Sequence, residues 1–205
     1  MILQRIPVGP LQVNCFIVGC PQTREAAIID PGDEGERILD ALRRLELTAT
    51  LIINTHGHFD HIGANRLLAE RTGAALLIHR ADLPLLEQAA RHAAMYGLQV
   101  TDSVAPTRLL EGGETLALGS LSIRVLPTPG HSPGGISLLV DGHVFTGDAL
   151  FAGSIGRTDL PGSNTEQLLA AIREQLLSLP EQTVVHPGHG PDTSIGREKL
   201  SNPFF

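Results

Sequence analysis

Four segments rich in His, Asp and Gly lie far apart in the chain, and each directly follows a short apolar run. THGHFDH (55–61) follows TLIIN (50–54), and PTPGHSPGG (127–135) follows LSIRVL (121–126). TGDALF (146–151) follows a run at 143–145, and HPGHG (186–190) follows one at 183–185. Polar groups in such numbers cannot be scattered through a core, because each buried one needs a partner. Loops at strand ends are where layered α/β proteins place function. The chain therefore calls for a fold that can bring four strand ends to one place.

The intervening sequence supplies such layers. VNCFIVG (13–19) and AAIID (26–30) read as strands, the second stopped by Pro31-Gly32. Ile38, Leu42 and Leu45 share one face of a helix, with Arg37, Arg43, Arg44 and Glu46 largely elsewhere. TLIIN is a strand, a helix runs from Gly63 to Gly73, AALLI is a strand, and a helix covers roughly 82–95. The second half turns β-rich: ETLAL, LSIRVL, GISLLV and HVFTG are strands separated by Gly, Ser and Pro turns. Ser163 as cap with Glu166 three residues on marks the start of the last clear helix. Leu168, Leu169, Ile172, Leu176 and Leu179 form its buried stripe, and Pro180 ends it. TVVHP is the final strand. An α/β protein of helices covering sheets follows, as a single domain over residues 1–205.

Composition excludes several function classes. A formal net charge of −7 opposes a nucleic-acid partner, and 3% aromatic content without Trp gives no base-stacking platform. No uncharged apolar run approaches the ~20 residues of a membrane span. Cys15 and Cys20 form no CxxC pair and no disulfide framework, and the N-terminus lacks a signal-peptide stretch. The expectation is a cytoplasmic chain with two packed, reduced thiols.

In THGHFDH, His56 and His58 are two residues apart, so in extended backbone they point to one side. Asp60 and His61 lie just beyond, where the chain can turn back, and Gly57 would allow tight curvature there. Imidazole and carboxylate suit zinc and related divalent ions. One histidine at a strand end is more often a packed or solvated side chain. Three His and one Asp within six residues, with further ligand types at three other strand ends, outweigh that reading.

THGHFDH resembles the HxHxDH signature of the metallo-β-lactamase superfamily. Gly130-His131, Gly147-Asp148 and Gly188-His189 follow in that family's order, and the likeness runs from IDPG (29–32) to PGHG (187–190). The resemblance implies a four-layer αββα sandwich with metals at one edge. It implies that His56, His58 and His131 hold one metal, that Asp60, His61 and His189 hold a second, and that Asp148 bridges them. Two divalent ions are expected, zinc first, with iron or mixed occupancy as the alternatives. Such a pair lowers the pKa of a shared water toward ~7, giving a metal-bound hydroxide that attacks a carbonyl carbon. Asp60 and Asp148 then serve catalysis as well as ligation. No GxSxG elbow offers a protein nucleophile.

Within the superfamily, TGDALFAGSIGRTDLPG (146–162) and the terminal NPFF resemble glyoxalase II, in its short bacterial form. The resemblance implies a small-molecule thioester partner and hydrolysis of an S-acyl thiol, S-D-lactoylglutathione giving D-lactate and glutathione. The longer members append a helical domain that grips glutathione, whereas only fifteen residues follow PGHG here. The alternative is a persulfide dioxygenase, a one-iron oxidoreductase of the same superfamily that shares HxHxDH, GDALF and GRTD. The intact Asp60, His61 and His189 favour two metals.

Asp30 is expected to orient a ligand imidazole. Arg157 stands where longer glyoxalase II enzymes carry a glutathione-contacting Lys; it pairs either with a substrate carboxylate or, structurally, with Asp159 or the neighbourhood of Asp148. His186 is read as packing or supporting the site, His79 as structural, His92 as solvated, His143 as a hairpin residue and Tyr96 as packing.

Overall fold

The computed structural model describes residues 1–205. β1 (Ile2–Val8), β2 (Val13–Gly19) and β3 (Glu25–Ile29) form an antiparallel meander. From β3 the sheet continues in parallel through β4 (Thr48–Ile53), β5 (Ala75–His79) and β6 (Arg108–Leu110). Parallel neighbours need crossovers. α1 (Gly35–Arg44) and α2 (Asn65–Thr72) supply the first two, and α3 (Leu83–Glu87) and α4 (Ala89–Met95) lie in the third.

The second half adds β7 (Thr115–Leu118), β8 (Leu121–Pro127), β9 (Ile136–Val140) and β10 (His143–Gly147). A small hairpin follows, β11 (Leu150–Phe151) and β12 (Ser154–Ile155), then α5 (Thr165–Ala171). β13 (Val184–Pro187), β14 (Thr193–Ser194) and α6 (Ile195–Ser201) complete the chain. The second sheet has the order β14-β13-β10-β9-β8-β7, with only β10 and β13 parallel.

Strand alternation sorts the apolar residues into layers. Along β2, Cys15 and Ile17 face α1 and α2, where they meet Ile38, Leu42 and Leu68. Phe16 and Val18 face the second sheet and meet Val125, Leu138 and Phe145. On the outer face of the second sheet, Val144 and Val185 pack under Leu168, Ile172, Leu176 and Ile195. Helix, sheet, sheet and helix thus stack as the expected four-layer sandwich. No helix is long and apolar enough to cross a membrane.

Several local expectations change. β1 escapes sequence pattern because Gln4 and Arg5 are exposed on an edge strand, so its alternation is incomplete. The helix expected over 82–95 breaks at Gln88 into α3 and α4. Ser163 is not the cap of α5: its hydroxyl donates to the Leu160 carbonyl, and Asn164 accepts from Gln167 N at 2.9 Å instead. Below α5 the chain widens to a π turn over Ile172–Leu176, and the expected stripe stays against the sheet. TVVHP is not the last element. β14 and α6 follow it, held by the buried Glu198, which accepts from Thr193 Oγ1 at 2.6 Å, Asn202 Nδ2 at 2.8 Å and Gly153 N at 2.9 Å.

Candidate metal centre

The four motif segments leave the C-terminal ends of β4, β8, β10 and β13 and meet at one edge of the sandwich. After β4, His56 and His58 come first. A single 3-10 turn, Phe59–His61, then carries Asp60 and His61 back over the strand end. Ligand atoms of His56, His58 and His131 lie within 4.8 Å of one another, as do those of Asp60, His61 and His189. Asp148 sits between the two trios. Its Oδ1 is 3.5 Å from His61 Nε2, and its Oδ2 is 3.6 Å from His189 Nε2 and 3.7 Å from His131 Nε2. All seven expected residues are brought together.

The atoms turned inward suit a cation. His56 Nε2, His61 Nε2 and Asp148 Oδ1 are buried with no hydrogen-bond partner, a costly arrangement for groups that nothing coordinates. His58 Nδ1 and His131 Nε2 approach to 2.9 Å. Burial, then His131 and His61, push His58 down to about 4. Burial first, then its imidazole neighbours, hold His56 well below the usual value. Both are therefore neutral, the form that ligates. Burial by itself would raise Asp148, yet His61, His189 and His131 outweigh it and hold the carboxyl well below its ordinary range. Burial opposes charge on His61 too, but Asp148, Asp60 and Asp30 outweigh it and raise that group well above its usual value. The field of these carboxylates favours positive charge at the centre, and the donor set fits divalent metal ions.

A surrounding shell fixes the rings. His131 Nδ1 contacts the Arg157 carbonyl at 2.8 Å, and His189 Nδ1 contacts the Leu11 carbonyl at 3.1 Å. Each Nδ1 thereby donates and leaves Nε2 as an acceptor facing inward. Asp30, 1% exposed, lies 3.1 Å from His61 Nδ1 and accepts from Thr55 N at 2.7 Å and Thr55 Oγ1 at 2.6 Å. It comes within ligand range of His56 and His61. It faces the His61 nitrogen opposite the one turned to Asp60 and Asp148.

The guanidinium of Arg157 closes on Asp159, Nε to Oδ1 at 2.7 Å and the second nitrogen to Oδ2 at 2.8 Å, with both side chains exposed. Of its expected partners, the structure shows Asp159. His186 lies outside the cluster, stacked on Phe145 and His143, with Nδ1 3.1 Å from Asp192. His79 accepts from Ala81 N and caps the turn before α3. His92 is half-buried, not fully solvated, because α4 packs against the 3-10 turn. Tyr96, 60% exposed, rests on Phe59.

Sequence reasoning missed Asp82 and Asn14. Asp82 is fully buried and accepts from Gly57 N at 2.9 Å, Ser132 Oγ at 2.7 Å and Gly134 N at 2.5 Å. It ties the His56–His61 segment to the His131 loop. In sequence it is a lone Asp ahead of a helix and carries no other signal. Asn14 donates to the carbonyls of Pro187 and Gly190 at 3.0 and 2.9 Å, pinning β2 to the loop that carries His189. Gly57 serves clearance more than curvature, since a Cβ there would meet the Asp82 carbonyl at 2.8 Å. Gly188 has the same role, since a Cβ would lie 2.4 Å from Asp148 Oδ1.

Residues 8–189 match the family model described as the metallo-beta-lactamase superfamily. The chain is 41% identical to probable metallo-hydrolase YqgX of Bacillus subtilis, over 98% of this chain and 96% of that protein. It is 39% identical to hydroxyacylglutathione hydrolase GloC of Haemophilus influenzae, over 100% of this chain and 98% of that one. Among solved structures it is similar to the B3 metallo-beta-lactamase BLEG-1, with TM-score 0.93 and 39% identity over 99% of each chain. For TTHA1623 in a di-iron-bound form the TM-score is 0.91 at 42% identity, over 98% of this chain and 100% of that one. For ETHE1 from Myxococcus xanthus it is 0.82 at 33% identity, over 99% and 84%.

Proposed function

Because the chain belongs to the metallo-beta-lactamase superfamily, we propose that it hydrolyses S-acyl thiol esters, with S-D-lactoylglutathione, cleaved to D-lactate and glutathione, as the leading substrate. One observation carries this reading: two ligand trios and a carboxylate between them converge with unpartnered, buried acceptor atoms at their centre. The full-length likeness to a hydroxyacylglutathione hydrolase supports the choice of substrate.

His56, His58 and His131 would hold one ion and Asp60, His61 and His189 the other, with Asp148 shared. Bound there, two divalent ions supply an acidified water and positive charge for a carbonyl oxygen. The chain's own residues do the rest. The carbonyls of Arg157 and Leu11 hold His131 and His189 in the tautomer that ligates. His56 and His61 are sealed from solvent, while the side chains of His189 and Asp60 are 30% and 16% exposed. His58 is half-buried too, so substrate approaches over the edge that His58, Asp60 and His189 share. A thiolate is a good leaving group, with an ordinary thiol pKa near ~8.5, so the site needs no protein acid beside it.

The test is steady-state hydrolysis across a thioester panel, with metal analysis of the same sample. A β-lactam and, with oxygen uptake followed, glutathione persulfide serve as contrasts. Thioester turnover well above both contrasts is the expected result. Oxygen consumption on the persulfide without thioester turnover would overturn the reading in favour of the dioxygenase.

A further inference from the structure

A cavity of about 130 Å³ opens beside Asp60, bounded by the β1–β2 hairpin, Gly32 and Asp33 after β3, the 3-10 turn and the segment after α4. Six of its twelve lining residues are hydrophobic, among them Val8 and Leu11 from the hairpin, Phe59 from the turn, Leu98 and Val100 from the segment, and Gln99 is its uncharged polar member. No Lys, Arg or His lines it, and its charged members are Asp33 and Asp60. An anionic group placed there would lose its hydration, meet no cationic side chain in the lining and face Asp33, the carboxylate that no metal trio claims. Glutathione's carboxylates therefore have no place in it. The volume is close to that of a ~150 Å³ cavity that takes one benzene ring.

The cavity is also joined to the metal ligands. The Leu11 carbonyl accepts from His189 Nδ1 at 3.1 Å, so the hairpin that forms one wall also orients a member of the second trio. Asp60 belongs to both. A thioester whose scissile bond lies at the cluster has an adjoining group within reach of this space.

We propose that the cavity is a specificity subsite for an uncharged hydrocarbon group, of four carbons up to a phenyl ring, on one side of the scissile bond. The inference rests on the thioester reading and refines it, since the lactoyl group would fill such a space poorly. An acyl chain and the hydrocarbon part of a thiol share the required chemistry. Two substrate arms separate them: acetyl, butyryl and phenylacetyl esters of mercaptoethanol, and acetyl esters of mercaptoethanol and of 2-phenylethanethiol.

Each buried methylene contributes about fourfold to affinity, so the two added from acetyl to butyryl should raise kcat/KM about fifteenfold if the acyl side enters. If the thiol side enters, the gain appears in the second arm instead. A succinyl ester should fall below acetyl, and Asp33→Asn should narrow that gap. Val100→Trp fills the space and should flatten the series; Leu98→Trp, on the same wall, repeats the test should the first variant fold poorly. Binding of phenylacetamide, against malonamate with a carboxylate in place of the ring, gives a readout that needs no turnover. Wild type should bind the first, not the second, and Val100→Trp should lose it. Flat series in both arms, or phenylacetamide binding that survives both tryptophan variants, would overturn the subsite. Absence of turnover with any thioester, beside selective phenylacetamide binding, would overturn the thioester reading and leave the cavity's preference standing.

Discussion

Asp148 carries the largest share of the site at the level of single residues. Its two oxygens face His61, His131 and His189, so it lies against both trios. Asp148→Ala should cut turnover by about 10³-fold or more and lower metal content below two ions per chain. The far-ultraviolet circular dichroism should stay native-like. Near-native rates with full metal content would disprove the bridging role. Asp30 acts one step further out. It adopts a left-handed backbone (φ 50°), which Asn tolerates well, so Asp30→Asn should keep the turn while removing the charge beside His61 Nδ1. Metal affinity should fall 10- to 100-fold, the usual cost of changing a group that supports a ligand, read by competition with a chelator. Unchanged affinity would make Asp30 a structural turn residue only.

Between elements, Asp82 joins what the chain keeps apart. It takes three donors from two motif loops. Asp82→Ala would leave those donors buried and unpaired, at a cost of about 3 kcal/mol, since each such group costs ~1–3 kcal/mol before relaxation. In a domain of this size that lowers Tm by roughly 6–12 °C. A shift under about 2 °C would show that the loops hold each other without it.

For the whole molecule, the two sheets bring parallel strand ends from both halves of the chain to one edge, and metal should clamp them there. A ligand at ~1,000 times its Kd stabilises the folded state by about 4 kcal/mol. Stripping metal should therefore lower Tm by roughly 8–16 °C, and zinc or iron should restore it. Elemental analysis after saturation should find up to two ions per chain. A Tm indifferent to chelator, with no tightly bound metal, would contradict the site as drawn.

The sequence by itself determined the four ligand-bearing segments, because His and Asp in such density after strands have few other uses, and its family resemblance assigned the seven candidates within them. It determined the layers as well, since helical and strand periodicities are local and survive without neighbours. What it left open depends on partners remote in the chain. Asp82 reads as an ordinary carboxylate until Gly57, Ser132 and Gly134 surround it. Arg157 offers several pairings in sequence, and only folding shows its guanidinium on Asp159 and its carbonyl on His131. Asn164 took the cap from Ser163 because the Leu160 carbonyl claims that hydroxyl. The cavity beside Asp60 belongs to no segment. Its walls come from four stretches, 8–13, 32–33, 59–60 and 98–100, and only tertiary packing makes them a space with a size and a charge.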